Sequence, residues 1–160
     1  MPDMLVKLYE LPDSKPLIRE LADAGIVIRR GLAPEKHIVL DWVRRNFSAH
    51  WESECDVAFS RRPVSCFIAT EGERLVGFGC YEATLKNFFG PTGVHPDMRG
   101  KGVGKALLLA CMQAMYDEGY GYAVIGGAGP TEFYAKTIGA IPIEGSAPGI
   151  YRGMLKQIQE

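Results

Sequence analysis

The sequence predicts a single α/β domain in which a mixed sheet of about six to seven strands is flanked by helices. Three observations lead there. The 160 residues suffice for one core of ordinary size, and a composition 47% apolar and 23% charged is that of a globular protein. Short β-branched and aromatic runs alternate along the chain with longer runs of helical period. Residues 93–109 read as a strand end, a turn with Gly100, Gly102 and Gly104 at every second position, and a helix start.

From the front, residues 4–9 fit a short strand, and Ser14 as cap with Pro16 in the first turn opens a helix that Gly25 stops. Ile26–Arg30 is a β-branched strand ended by Gly31. Pro34 opens a second helix, where Ile38 with Trp42 and Val39 with Val43 stack four residues apart, so Trp42 is expected in the core. Residues 47–59 mix aromatic and acidic side chains on a weak helical period. Arg62-Pro63 then breaks the chain before a hairpin of residues 64–70 and 74–84. In its second strand Val76, Phe78 and Cys80 are expected on one face, Gly77 and Gly79 on the other. Lys86-Asn87 turns into Phe88–Val94, a strand interrupted by Gly90-Pro91 as edges and bulges are.

Beyond the glycine turn, Val103, Leu107, Ala110, Cys111 and Ala114 form one apolar helix face, and Gly119 stops the helix. Residues 120–125 read as a strand, 126–130 as a second glycine-rich turn, and Thr131–Ile138 as a short helix ended by Gly139. Residues 140–143 and 149–155 are expected to close the sheet as two strands.

A glycine turn can aim backbone N–H groups at an anion, and a helix N-terminus adds unpaired N–H groups and partial positive charge. Phosphate suits such a place. A Walker loop fails because Lys105 is followed by Ala106 and Arg99 stands where its first glycine belongs; a dinucleotide fingerprint fails because neither Gly100 nor Gly102 starts one. The letters give Arg-x-x-Gly-x-Gly at Arg99, Gly102 and Gly104, preceded by Val-x-Pro at Val94 to Pro96. This combination resembles the acetyl-CoA-binding signature of the GCN5-related N-acetyltransferases. A glycine-rich turn without a ligand is the rival reading.

The resemblance covers residues 26–155, leaving 1–25 as a strand-helix extension of a single domain, 1–160. It implies acetyl-CoA as cosubstrate and no metal. Gly93, Val94, Arg99, Gly100, Lys101, Gly102, Val103, Gly104 and Lys105 are then the expected cofactor-binding residues, with Phe88–Val94 parting from its neighbour so that pantetheine can lie in the gap. The segment after the first family strand borders the acceptor pocket in this family, which makes Trp51 and Glu52, with Tyr81, the expected substrate-binding residues.

Tyr134, in Glu-Phe-Tyr-Ala-Lys-Thr-Ile-Gly, matches the family tyrosine that protonates the coenzyme A thiolate, although one extra residue separates the lysine from the glycine. Phe88–Val94 contains no carboxylate where the family often has a glutamate. Glu82, placed with Phe78 and Cys80, is the catalytic base candidate that remains, a solvated strand end being the alternative. His95, in the variable position of Val-x-Pro, is expected to be a surface residue.

A net charge of −1 with Arg29-Arg30, Arg44-Arg45 and Arg61-Arg62 widely scattered argues against nucleic acid. No targeting segment or membrane-spanning run is legible, so a cytoplasmic protein that engages no membrane is expected. Cys55, Cys66, Cys80 and Cys111 lie far apart in sequence and suggest neither zinc nor disulfides, only reduced core thiols. The expected reaction is acetyl transfer to a primary amine of a small molecule. Its rivals are a non-catalytic acyl-CoA-binding or regulatory module and a protein or peptide N-acetyltransferase. Oligomeric state is open, a homodimer included.

Overall fold

The computed structural model describes residues 1–159. Among them seven strands form one sheet: β1 (Met4–Lys7), β2 (Ile26–Arg30), β3 (Cys66–Glu71), β4 (Arg74–Tyr81), β5 (Phe88–Val94), β6 (Tyr122–Ile125) and β7 (Ile141–Pro142). Their order across the sheet is β2-β3-β4-β5-β6-β1-β7, antiparallel throughout except for the parallel pair β5 and β6. The helices are α1 (Lys15–Asp23), α2 (Lys36–Asn46), α3 (Ala49–Phe59), α4 (Val103–Asp117) and α5 (Thr131–Ile138).

Helices α2 and α3 cover one face, where Val39, Trp42, Val43, Cys55, Ala58 and Phe59 meet Cys66, Ile68, Phe78 and Cys80. On the other face α4 lies across the middle strands. Gly77 and Gly79 of β4 make its close approach feasible, since a Cβ on Gly77 would stand 3.1 Å from Leu107 Cδ1 and one on Gly79 3.5 Å from Cys111 Sγ. The glycine face is the one expected from sequence, but Val76 does not oppose it. Ala69 pairs with Gly77 and Thr70 with Leu75, so Val76 is an extra residue in β4 and turns to the α4 face with Leu107 and Val103. A bulge of this kind reverses alternation at one point.

The front of the chain is not an appendage. β1 is hydrogen-bonded on both edges, to β6 and to β7, and its Met4 and Val6 are fully buried. Asp3 ties the neighbouring loops to it: its carboxylate accepts from Gly127 N–H at 2.8 Å, its N–H donates to Ser146 Oγ at 2.8 Å, and its carbonyl accepts from Ile143 N–H at 2.8 Å. Ser14 makes no side-chain cap; instead Asp13 Oδ1 accepts from Lys15 N–H at 3.0 Å. The expected closing strand at 149–155 is absent among the described residues, where Gly149–Tyr151 is one turn of 3-10 helix. β1 already occupies the ladder position that a last strand would take. No helix among these residues is long and apolar enough to cross a membrane.

Candidate active site

The parallel ladder between β5 and β6 is two residues long, Phe88 opposite Val124 and Phe89 opposite Ile125. β6 then ends at Gly126-Gly127, while β5 runs on to Val94 with β4 as its ladder partner. Residues 90–94 therefore border a gap whose backbone groups are open to an extended ligand. One of them, the Val94 carbonyl, accepts from Arg99 Nε at 3.3 Å.

β5 leads through His95 and the 3-10 turn Pro96–Met98 into the glycine loop. Gly100 and Gly102 have φ of +80° and +89°, values that L side chains rarely adopt. Gly104 has ordinary helical geometry, and a Cβ there would meet only Val94 Cγ2, at 3.6 Å. The space beside Gly104 is thus left by the protein, at the first turn of a fifteen-residue helix whose N-cap makes no side-chain hydrogen bond, and the first N–H groups of a helix have no partner within it. Arg99, Lys101 and Lys105 are exposed around this turn, and among the described residues none of them is in an ion pair. Asp97, the nearby acid, faces Arg74 at 3.4 Å and His95 at 3.5 Å instead. These features fit a diphosphate. The Val103 side chain is a core group, 1% exposed, so only its backbone is available. Gly93 has a packing reason of its own, because a Cβ there would fall 2.2 Å from Phe47 Cζ.

Tyr134 projects from α5 toward the point where the strands part. Its ring meets Phe89, the last residue of the β5–β6 ladder, edge to face at 6.4 Å. The side chain is 6% exposed, and burial pushes its hydroxyl up to about 12, so the proton is held through the neutral range. Among the described residues no protein group hydrogen-bonds this hydroxyl.

Phe88, one residue from Phe89, points to the opposite face of the sheet. A Cβ on Gly126 would stand 2.9 Å from the Phe88 ring and 3.0 Å from the Tyr151 hydroxyl, which places Tyr151 at the same gap. Beside it Thr84 Oγ1 donates a short hydrogen bond to Glu54 Oε2 of α3. Burial raises the Tyr151 hydroxyl, and Glu54 and Asp3 add to the effect through charge. A cleft of about 610 Å³ opens from this end, lined by His50, Pro148, Tyr151 and residues 152–157.

The remaining sequence candidates are not gathered there. Trp51 is half-buried in an aromatic stack with Phe47 (5.0 Å) and Phe78 (6.2 Å), and Glu52 pairs with Arg44 at 3.3 Å. Tyr81 is wholly buried on the α4 face, where Arg30 Nη1 donates to its hydroxyl at 2.6 Å, so the sheet separates it from Trp51. Glu82 lies beyond the end of β4 rather than on the Phe78 face. It has a φ of +58°, and its carboxylate accepts from Asn87 N–H at 3.2 Å. His95 Nδ1 accepts from Asp97 N–H at 3.2 Å.

Three cysteines distant in sequence do meet. Cys66 and Cys80 are opposite one another in the ladder, Cys55 comes down from α3, and the three sulfurs lie within 4.8 Å of one another, all buried. The contact with Cys55, and burial after it, push the Cys66 thiol up, and burial pushes up that of Cys80, which keeps both protonated.

Glu54, Thr84 and Tyr151 were not legible as a group. One signal existed: Glu54 stands three residues after Trp51 and next to buried Cys55, on the inward side of α3, whereas Glu52 does not. Nothing in the sequence brings Thr84 and Tyr151 to it.

No curated protein matches the chain. Among solved structures, a glucosamine N-acetyltransferase region of a fungal multi-domain β-N-acetylglucosaminidase is 14% identical with a TM-score of 0.72, over 89% of this chain and 19% of that one. A GCN5-related N-acetyltransferase from Sphaerobacter thermophilus is 19% identical with a TM-score of 0.63, over 89% of this chain and 48% of its own. The chain thus spans less than half the length of either. A GNAT acetyltransferase from Brucella melitensis, solved with acetyl-CoA, is 17% identical with a TM-score of 0.50 over 69% of this chain and 80% of that one. These likenesses agree in fold, and the sequence pattern of the acetyltransferase (GNAT) family matches residues 36–139. With that match over most of its length, the chain belongs to the acetyltransferase (GNAT) family.

Proposed function

We propose that the chain is an N-acetyltransferase that moves the acetyl group of acetyl-CoA to a primary amine of a small molecule. The observation that carries this is the continuity of one path: the open β5 edge at 90–94 runs into a glycine turn with room beside Gly104 and three exposed cations that, among the described residues, are in no ion pair. Bound there, acetyl-CoA supplies the activated acetyl thioester. The loop N–H groups and Arg99, Lys101 and Lys105 hold the diphosphate, β5 backbone groups hold the pantetheine arm, and the thioester end lies toward Phe89. Tyr134 keeps its proton at neutral pH and is the acid for the departing thiolate.

The Brucella relative was solved with acetyl-CoA and the fungal region is named for glucosamine, so acetyl-CoA with glucosamine is the first pair to assay. The missing carboxylate on β5 favours one other reading, a binding module without turnover. Calorimetric titration with acetyl-CoA followed by a transfer assay separates the two. Saturable binding, weakened at least about tenfold by Gly104→Val, with acetylated amine as product, supports the transferase; a difference of about 1.4 kcal/mol is easily read. Absent binding, or binding that Gly104→Val leaves unchanged, refutes it.

A further inference from the structure

The thiols of Cys55, Cys66 and Cys80 take no part in the reaction proposed above, yet three separate elements bring them together. Cys66 on β3 and Cys80 on β4 are ladder partners, both turned to the face that α2 and α3 cover. Cys55 descends on them from α3. Its Sγ lies 3.9 Å from that of Cys66, and all three sulfurs lie within 4.8 Å of one another. Each residue is 0% exposed and each thiol is free. The side chains that share their cluster, among them Val39, Trp42, Ala58, Ile68 and Phe78, are apolar.

Three sulfurs bonded to one metal ion at about 2.3 Å, in one plane with it, stand about 4 Å from one another. The separation of Cys55 from Cys66 already has that value, and no pair stands much beyond it. Ligand type and burial then decide which ion fits. Thiolates select soft cations, copper(I) and zinc among them. Zinc takes a fourth ligand to complete a tetrahedron. Among the described residues no histidine, carboxylate or further cysteine joins this group, and sulfurs withdrawn from solvent leave no place for a water ligand. A dry set of three sulfurs suits copper(I), a closed-shell ion content with low coordination.

We propose that Cys55, Cys66 and Cys80 form a three-coordinate site for a thiophilic ion of the copper(I) class, which staples α3 to the β3–β4 hairpin. Each sulfur that binds as thiolate loses its S–H proton to solvent as its bond to copper forms. Copper stays monovalent throughout, so no oxidant or reductant takes part. Affinity therefore rises with pH. Only the folded chain holds the three sulfurs together, so the bound ion stabilises the fold by mass action. Because the sulfurs are buried, the ion enters when α3 lifts or as the chain folds. The site needs no acetyl-CoA and stands apart from the transferase reading.

The test titrates the full chain, reduced and free of oxygen, with copper(I) supplied as its acetonitrile complex and bicinchoninate as competitor, both in the native state and during refolding from urea. A single copper(I) per chain is expected, with thiolate-to-copper absorption in the ultraviolet and a raised thermal midpoint. Cys55→Ala, Cys66→Ala and Cys80→Ala should each weaken binding at least about tenfold. Cys111→Ala, which removes the buried thiol on the α4 face, should leave it unchanged. X-ray absorption at the copper edge of the loaded wild-type chain should count three sulfur neighbours and no oxygen or nitrogen, a reading that stands even where a variant fails to fold. No binding by either route, binding that any of the three variants leaves unchanged, or a shell of fewer than three sulfurs overturns the proposal. Zinc held more tightly than copper(I) overturns it as well.

Discussion

Gly102 and Gly104 stand two residues apart and answer to different constraints. Gly102 has a left-handed backbone, and a Cβ would also lie 3.0 Å from Leu17 Cδ1 of α1. Gly102→Ala is therefore expected to cost about 1–2 kcal/mol in urea unfolding whether or not ligand is present. Gly104 has room for a methyl and helical φ, so Gly104→Ala should leave stability unchanged or raise it by up to about 1 kcal/mol while weakening acetyl-CoA in calorimetry. Tyr134 carries a second prediction. Its hydroxyl is raised from 10.0 to about 12, so the folded state keeps a proton that the unfolded state releases, and stability falls as pH climbs through that window. Tyr134→Phe should flatten that alkaline loss, measured by thermal unfolding, and should lower turnover with acetyl-CoA affinity retained. At this scale the sequence was informative wherever a residue type is forced by backbone shape, as at Gly100 and Gly102. It was uninformative for Glu54, whose hydrogen-bond partner Thr84 arrives from a distant turn.

Helices α1, α2, α4 and α5 and all but one of the expected strands were legible, because periodicity and proline or glycine stops are local signals, whereas α3 showed only a weak period. Two errors share a cause that is not local. Val76 changes face through a one-residue bulge set by pairing with β3, and the tail loses its strand because β1 already holds the place between β6 and β7. The link between β2 and the turn before α2 gives an element-scale prediction. Arg29 and Glu35 meet in two hydrogen bonds of 2.8 and 2.7 Å, and this contact lowers the Glu35 carboxyl from 4.5 to about 2. A lowered folded value means stability that is complete above 4.5 and lost as pH falls toward 2. Since both side chains are partly solvated, Glu35→Gln should cost about 1 kcal/mol at neutral pH and almost nothing at the acid end, read by denaturant titration at each pH.

Taken whole, the molecule joins the two ends of the proposed site through one sheet: the glycine turn at the start of α4 and the point where β5 and β6 separate. Ligand should therefore stabilise the entire fold, by about 2.7 kcal/mol at a hundredfold excess over Kd, visible as a raised midpoint that Gly104→Val abolishes. Deleting residues 1–8 should remove the cooperative thermal transition altogether, since β1 is interior and Met4 and Val6 are fully buried.

That interior strand also sets a timetable for biosynthesis. Met4 is synthesised well before its ladder partners, Ile125 and Pro142. Contacts so remote in sequence slow folding, and here they cannot form until both partners have been translated. Until then the nascent chain carries its own keystone unpaired, so the sheet closes around β1 late.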